Sequence, residues 1–199
     1  MMSLRADLRI MSAWIQPKSR LLDLGCGDGA LLKYLKQTRQ VQGYGLEIKP
    51  NNIATCIRNG VNVIQKDLND GLEDFGDQSF DYVVMTQALQ AMEHPDILLE
   101  DMLRVGRQGI VTFPNFGYWE NRIKLLYKGF MPVSVSIPHQ WYDTPNIHLC
   151  TLKDFEQLCR VKKIKIIQRS VVDLSHQSRW LMKIIPNWFG QIALYHFKR

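Results

Sequence analysis

No apolar run in this 199-residue chain approaches the ~18 residues that a membrane-spanning helix requires, so no membrane association is expected. The opening stretch also lacks the continuous apolar centre of a secretory signal, because Arg5, Asp7 and Arg9 interrupt it; a cytoplasmic protein is expected. Cysteine is sparse. Cys26, Cys56, Cys150 and Cys159 form no CxxC pair and no disulfide-like spacing, which reads as free thiols in a reducing compartment. His148-x-Cys150 has no second Cys/His pair at ligand spacing, so no metal site is expected. Internal repeats and low-complexity linkers are missing too, and residues 1–199 read as one domain. A concentrated basic patch is likewise lacking. The formal charge of +6 is scattered, and its densest cluster, Arg160, Lys162, Lys163 and Lys165, fits a solvated helix end followed by an exposed strand face. Nucleic acid is a minor expectation.

The composition, 46% hydrophobic and 22% charged, is that of an ordinary globular protein. Leu4, Leu8, Met11 and Ile15 mark one face of a short opening helix. A first strand, Arg20 to Leu24, runs into Gly25-Cys26-Gly27-Asp28-Gly29 and then a helix, Ala30 to Lys36. Gln42 to Ile48 reads as strand, and Asn51 to Asn59 as helix with Asn51 or Asn52 as N-cap and Gly60 as its stop. Strands are expected at Val61 to Lys66, Phe80 to Met85 and Gly109 to Phe113, with a helix from Pro95 to near Gly106. Alternating strands and helices, with nearly continuous apolar strands, predict a parallel sheet covered on both faces. Later, Thr151 to Asp154 reads as a capping box opening a helix to about Arg160. Two strand-like runs follow, Ile164 to Val172 and Gln191 to Phe197, without a clear helix between them; they predict an antiparallel edge.

Glycines between a strand and a helix permit positive φ and close approach of a ligand. Gly25-x-Gly27-x-x-Ala30 on its own also fits a dinucleotide fingerprint. Three acids narrow the reading. Asp23 would repel a pyrophosphate but suits an ammonium or sulfonium. Glu47, at the end of the second strand, suits ribose hydroxyls of either ligand. Asp67 with Leu68, at the end of the third, suits an adenine edge. Each has a bland alternative: Asp23 as a helix cap, Glu47 as a surface residue, Asp67 as a turn starter. Together they lie at three consecutive strand ends, where open α/β sheets bind ligands.

Leu-Leu-Asp-Leu-Gly-Cys-Gly-Asp-Gly, Gly-Leu-Glu, Gln-Lys-Asp-Leu, Gln78 to Val84 and Leu103-Arg-Val-Gly resemble the motifs of class I methyltransferases that use S-adenosylmethionine (SAM). More narrowly, Met2 to Asp7, Gly43 to Ile48, Gly60 to Gln65, Phe113 to Gly117 and Gln140 to Thr151 resemble the MetW family of methionine biosynthesis proteins. The resemblance implies a Rossmann-like three-layer α/β sandwich whose seven-stranded, mostly parallel sheet ends in an antiparallel strand. It also implies SAM or S-adenosylhomocysteine as ligand, and a role beside homoserine O-acyltransferase. The cofactor-binding set so expected is Asp23, Gly25, Cys26, Gly27, Gly29, Glu47, Ile48, Asp67, Leu68 and Thr86.

No catalytic residue stands out. Methyl transfer from a sulfonium needs in-line positioning and only sometimes a base, and the fourth strand ends in Met85-Thr86-Gln87-Ala88 rather than the Asn/Asp-Pro-Pro-aromatic run of amino-directed methyltransferases. That speaks against nucleobase and protein-amide acceptors. The aromatic insert, residues 113–150, reads as a lid over a small acceptor, a partner surface, or a cluster covering the sheet edge. Asn115, Trp119, Trp141, Tyr142 and His148 are its candidate contact residues. His139 and His148 are the base candidates, though a structural role suits each better. Three functions stay open: a SAM-binding protein working through homoserine O-acyltransferase, a methyltransferase for a small metabolite, and an RNA methyltransferase.

Overall fold

A computed structural model describes residues 5–173 and 180–199. Seven strands, β1 (Arg20–Leu24), β2 (Gln42–Glu47), β3 (Asn62–Gln65), β4 (Phe80–Thr86), β5 (Gly106–Pro114), β6 (Lys165–Val172) and β7 (Ile192–Lys198), form one sheet in the order β3-β2-β1-β4-β5-β7-β6. The pairs from β3 to β5 are parallel, and β7 is antiparallel to both neighbours. The antiparallel strand is thus inserted one place inside the edge. The reason is burial: Ile192 to Phe197 are all buried, as an inner strand requires, whereas β6 buries only Val171 and Val172.

The period of two along each strand sorts residues between two helical layers. Leu21, Val84 and Ile110 face α1 (Ala6–Trp14), α2 (Ala30–Arg39) and α3 (Pro50–Arg58), meeting Leu8, Met11, Ile15, Leu31, Leu35 and Cys56. Leu22, Leu24, Val83, Met85 and Val111 face α4 (Pro95–Val105) and α6 (Leu152–Val161), meeting Leu99, Met102 and Phe155. Asp23 follows Leu21 by two residues, so it shares the face that α1 covers. Leu4, expected on the apolar stripe of α1, lies outside the described residues.

Helix α3 begins one turn-position earlier than expected. Pro50 is its first residue and Lys49 its N-cap, rather than Asn51 or Asn52. Proline suits the first helical position because its φ is already helical and its missing N–H is not needed there. The capping box at α6 is present in both directions: Thr151 Oγ1 accepts from Asp154 N at 3.4 Å and Thr151 N donates to Asp154 Oδ2 at 2.8 Å. Thr151→Ala is expected to cost about 1 kcal/mol in a denaturant titration, the usual worth of such a cap. Between β6 and β7, where no helix was expected, stand α7 (Trp180–Ile184) and α8 (Pro186–Phe189). Helices of four or five residues are too short to show a 3.6-residue period. No helix among the described residues is long and apolar enough to cross a membrane.

Candidate functional site

The sheet reverses its winding between β1 and β4, and the crevice at the carboxyl ends of these strands is where the glycine loop lies. Gly25, Gly27 and Gly29 have φ of 69°, 59° and 75°, which a side chain would oppose. Gly25 N and Cys26 N both donate to Leu46 O, at 2.9 and 3.0 Å, binding the loop to β2. Glu47 completes the link. Its Oε2 accepts from Gly27 N at 2.9 Å, and its Oε1 accepts from Ile48 N at 3.0 Å and Lys49 N at 2.9 Å. Glu47 is buried rather than a free surface acid, and one carboxylate organises both the glycine loop and the entry to α3. With three of about four acceptor positions used, it retains capacity for a ligand hydroxyl.

Asp23 is buried, and its Oδ1 has no hydrogen-bond partner. It does not cap the following helix, whose N-cap is Gly29; Asp28 Oδ1 accepts from Ala30 N at 3.0 Å just ahead of it. Burial pushes the Asp23 carboxyl from its ordinary 3.8 up to about 7, with the Arg5 guanidinium acting against that rise and Glu47 adding to it. Such a group is out of place in a merely structural role and suits a cationic ligand. Asp67 does start a turn: its Oδ1 accepts from Asn69 N at 2.9 Å, capping a single 3-10 turn, Leu68–Asp70. Leu68 is buried and Ile48 exposed. Thr86 closes β4 beside Thr112 of β5. Cys26 packs its sulfur over Gly45, where a Cβ would lie 2.3 Å away, and stands 3.8 Å from Cys56 Sγ. Burial raises both thiols, which makes them poor nucleophiles. Among the described residues no three His, Cys, Asp or Glu side chains are grouped to hold a metal ion.

The sequence profile of the methionine biosynthesis protein MetW family runs through residues 5–197. The chain belongs to the MetW family. A protein of Rhodopirellula baltica, described as a bifunctional methionine biosynthesis protein MetXA/MetW, is 32% identical over 206 residues, spanning 99% of this chain and 33% of that protein. The chain therefore covers about a third of that relative's length. Among solved structures, a SAM-dependent methyltransferase of Mesorhizobium loti superposes with a TM-score of 0.69 at 16% identity, over 98% of each chain. Phosphoethanolamine N-methyltransferase 2 of Haemonchus contortus, in complex with S-adenosyl-L-methionine, gives 0.69 at 16% identity over 97% of this chain and 52% of that one. At such identities the likeness establishes the fold, the Rossmann-like fold of class I methyltransferases.

In this MetW-family chain the expected contact residues of the insert separate. Asn115 is fully buried: its Nδ2 donates to Asn187 O at 3.1 Å and Gly190 O at 2.8 Å, and its Oδ1 accepts from Gly117 N at 2.9 Å. It is a joint between β5 and α8, not a surface residue. Trp119 is half-buried at the start of α5 (Trp119–Lys128). Trp141 and Tyr142, 73% and 72% exposed, meet edge to face at 5.7 Å. His148 Nε2 lies 3.2 Å from Glu93 O, and His139 pairs at 3.9 Å with Asp143. Helix α5 turns Leu126 and Tyr127 outward, 77% and 79% exposed, while its buried residue is Asn121. Its apolar stripe thus faces solvent. In the basic cluster, Lys162 is already paired with Asp96 at 3.1 Å and Glu100 at 3.2 Å.

Sequence reasoning missed Arg5, Asp7 and Gln87. Asp7 is fully buried, bonded by Arg5 Nε and Nη2 at 3.1 and 2.7 Å and by Gln87 Nε2 at 3.3 Å. One signal was available: Asp7 stands four residues before Met11, so it lies on the buried stripe of α1.

Proposed function

We propose that this chain binds SAM, or its demethylated form S-adenosylhomocysteine, and acts in methionine biosynthesis together with a homoserine O-acyltransferase. The observation that carries the ligand reading is Asp23: a buried carboxylate with an unpartnered oxygen, beside a glycine loop that Glu47 already holds in shape. A pyrophosphate does not suit that position, and a cationic sulfonium with its ammonium does. Glu47 would take the ribose hydroxyls, and Asp67 with Leu68 the adenine edge. Bound SAM would supply a methyl group activated by positive sulfur. The chain's own residues would orient it.

The partner reading rests on two supports. The Rhodopirellula relative names MetXA and MetW in one polypeptide. The insert also carries Leu126, Tyr127, Phe130, Trp141 and Tyr142 in the open, more apolar surface than an isolated domain usually shows.

Calorimetric titration with SAM, S-adenosylhomocysteine and NAD tests the ligand. The adenosyl ligands are expected to bind and NAD not to, with Asp67→Ala about tenfold weaker for the loss of one hydrogen-bonded edge. Preference for NAD, or no binding of either adenosyl ligand, would sink the reading. For the partner, sedimentation with the homoserine O-acyltransferase of the same organism is expected to give a complex. Replacing Trp141 and Tyr142 together by Ala should weaken it at least about tenfold, as for exposed aromatics at an interface. Undiminished affinity would remove the insert from the interface.

A further inference from the structure

The two edges of the sheet differ in how their free backbone is protected. An edge strand presents unpaired N–H and C=O groups, and proteins usually guard it with charged side chains or a bulge. β6 has both. Lys165 and Arg169 lie along it, and its register with β7 shifts between Ile166 and Gln168. β3 has neither. It reads Asn62-Val63-Ile64-Gln65, without charge or proline, and its register with β2 is unbroken. Among the described residues no other segment bonds to its outer side. The flanks of β3 are apolar as well. Tyr44 of β2 lies beside Asn62, on the face of the sheet that Ile64 shares. Tyr44 is 45% exposed and Ile64 42%. On α3, the helix that packs along β3, Ile57 is exposed too.

A bare edge accepts one kind of partner, another extended backbone. Every copy of this chain carries such a strand, and the strand is compatible with itself. When two copies pair antiparallel about a two-fold axis, one residue stands opposite its own counterpart. In β3 that residue is Val63 or Ile64, both β-branched and suited to a cross-strand pair. With Val63 on the axis, Asn62 is set across from Ile64, and Val61 from Gln65. With Ile64 there, Val63 is set across from Gln65, and Asn62 from Lys66. Neither register sets like charges opposite each other, which would oppose self-pairing. We propose that β3 is the seam of a homodimer, in which two sheets join edge to edge through this strand. Tyr44, Ile57 and Ile64 flank the seam in each copy. The contact closes after two copies, because a two-fold pair uses the same edge of both. It leaves the insert free, since that segment follows β5, toward the other end of the sheet. The dimer therefore depends on neither the ligand reading nor the acyltransferase reading.

Sedimentation velocity over about 1–100 μM tests this, the range suited to a small interface. The wild-type chain is expected to shift from the monomer mass toward twice that mass as concentration rises. Asn62→Lys/Ile64→Lys gives β3 the kind of charge that β6 carries and opposes cations in both registers. Both positions are exposed, so the fold should stand, and association should weaken at least about tenfold. Leu126→Lys/Tyr127→Lys, on the exposed face of α5, should leave association within about twofold. Amide hydrogen exchange gives a second reading on the unmodified chain: residues 62–65 should exchange more slowly at high concentration than at low. A wild-type chain that stays monomeric up to about 100 μM would overturn the proposal. So would unchanged association in the β3 variant, or exchange at residues 62–65 that ignores concentration. Association lost in the α5 variant would overturn it as well, by moving the seam to α5.

Discussion

Asp23→Asn is expected to stabilise the ligand-free protein at pH 8 relative to pH 5 while nearly abolishing ligand binding. In the folded chain Asp23 holds its proton up to about pH 7, whereas the unfolded chain releases it near 3.8. Between these values the native state binds more protons, so the wild type loses stability as pH rises from about 4 through 7. At about 1.4 kcal/mol per unit of pKa difference, wild type should lose about 2–3 kcal/mol more than Asp23→Asn between pH 5 and pH 8. Urea titrations of both proteins at the two pH values measure this directly, and the cost of burying the new amide cancels in the comparison. Parallel pH dependence would mean that Asp23 is ionised in the folded protein throughout. Binding works in the opposite direction. A ligand ammonium selects the ionised carboxylate, so affinity for S-adenosylhomocysteine, whose only cationic group is its ammonium, should rise from pH 6 to pH 8 in wild type. It should fall about 100-fold on substitution, the usual consequence of losing a buried charge-assisted hydrogen bond. A residue that destabilises its own fold in order to hold a ligand is what functional sites often contain.

Glu47→Ala should damage stability and binding together. The side chain accepts three backbone N–H groups, from Gly27, Ile48 and Lys49, in a place where water reaches poorly. Removing it leaves three donors unsatisfied, for which a loss of about 2–4 kcal/mol is expected. Gly27 would no longer be tied to β2, so the glycine loop would lose its shape, and binding should weaken more than about 100-fold. Glu47→Gln separates the two effects. Its remaining oxygen can serve Ile48 and Lys49, while its amide faces Gly27 N, donor to donor. Intermediate stability with binding still impaired is therefore the expected pattern. If Glu47→Ala unfolds at the wild-type denaturant concentration, the organising role assigned to Glu47 is wrong.

Both substitutions touch residues that were visible as acids at strand ends, and the structure alters what each of them means. Glu47 reads in the chain as a ribose acceptor or an idle surface acid; it is first of all the clasp between β2 and the glycine loop. Asp67 keeps the turn-starting role and is half-buried. For Asp23 the helix-cap alternative disappears because the N-cap of α2 is Gly29. The insert was legible as aromatic, yet only the fold separates Asn115, spent on joining β5 to α8, from Trp141 and Tyr142, which stand in the open.

By itself the sequence determined the sheet-and-helix alternation, the glycine loop and the three acids at consecutive strand ends, together with family membership. These are local patterns: apolar periodicity, turn residues and short motifs act over a few neighbouring positions. Only the tertiary structure decided that β7 enters between β5 and β6, that the apolar stripe of α5 faces outward, and that Arg5, Asp7 and Gln87 meet one another. Those facts join residues as far apart as Asp7 and Gln87. Their contacts depend on which helix covers which face of the sheet, and no periodicity within either segment carries that information.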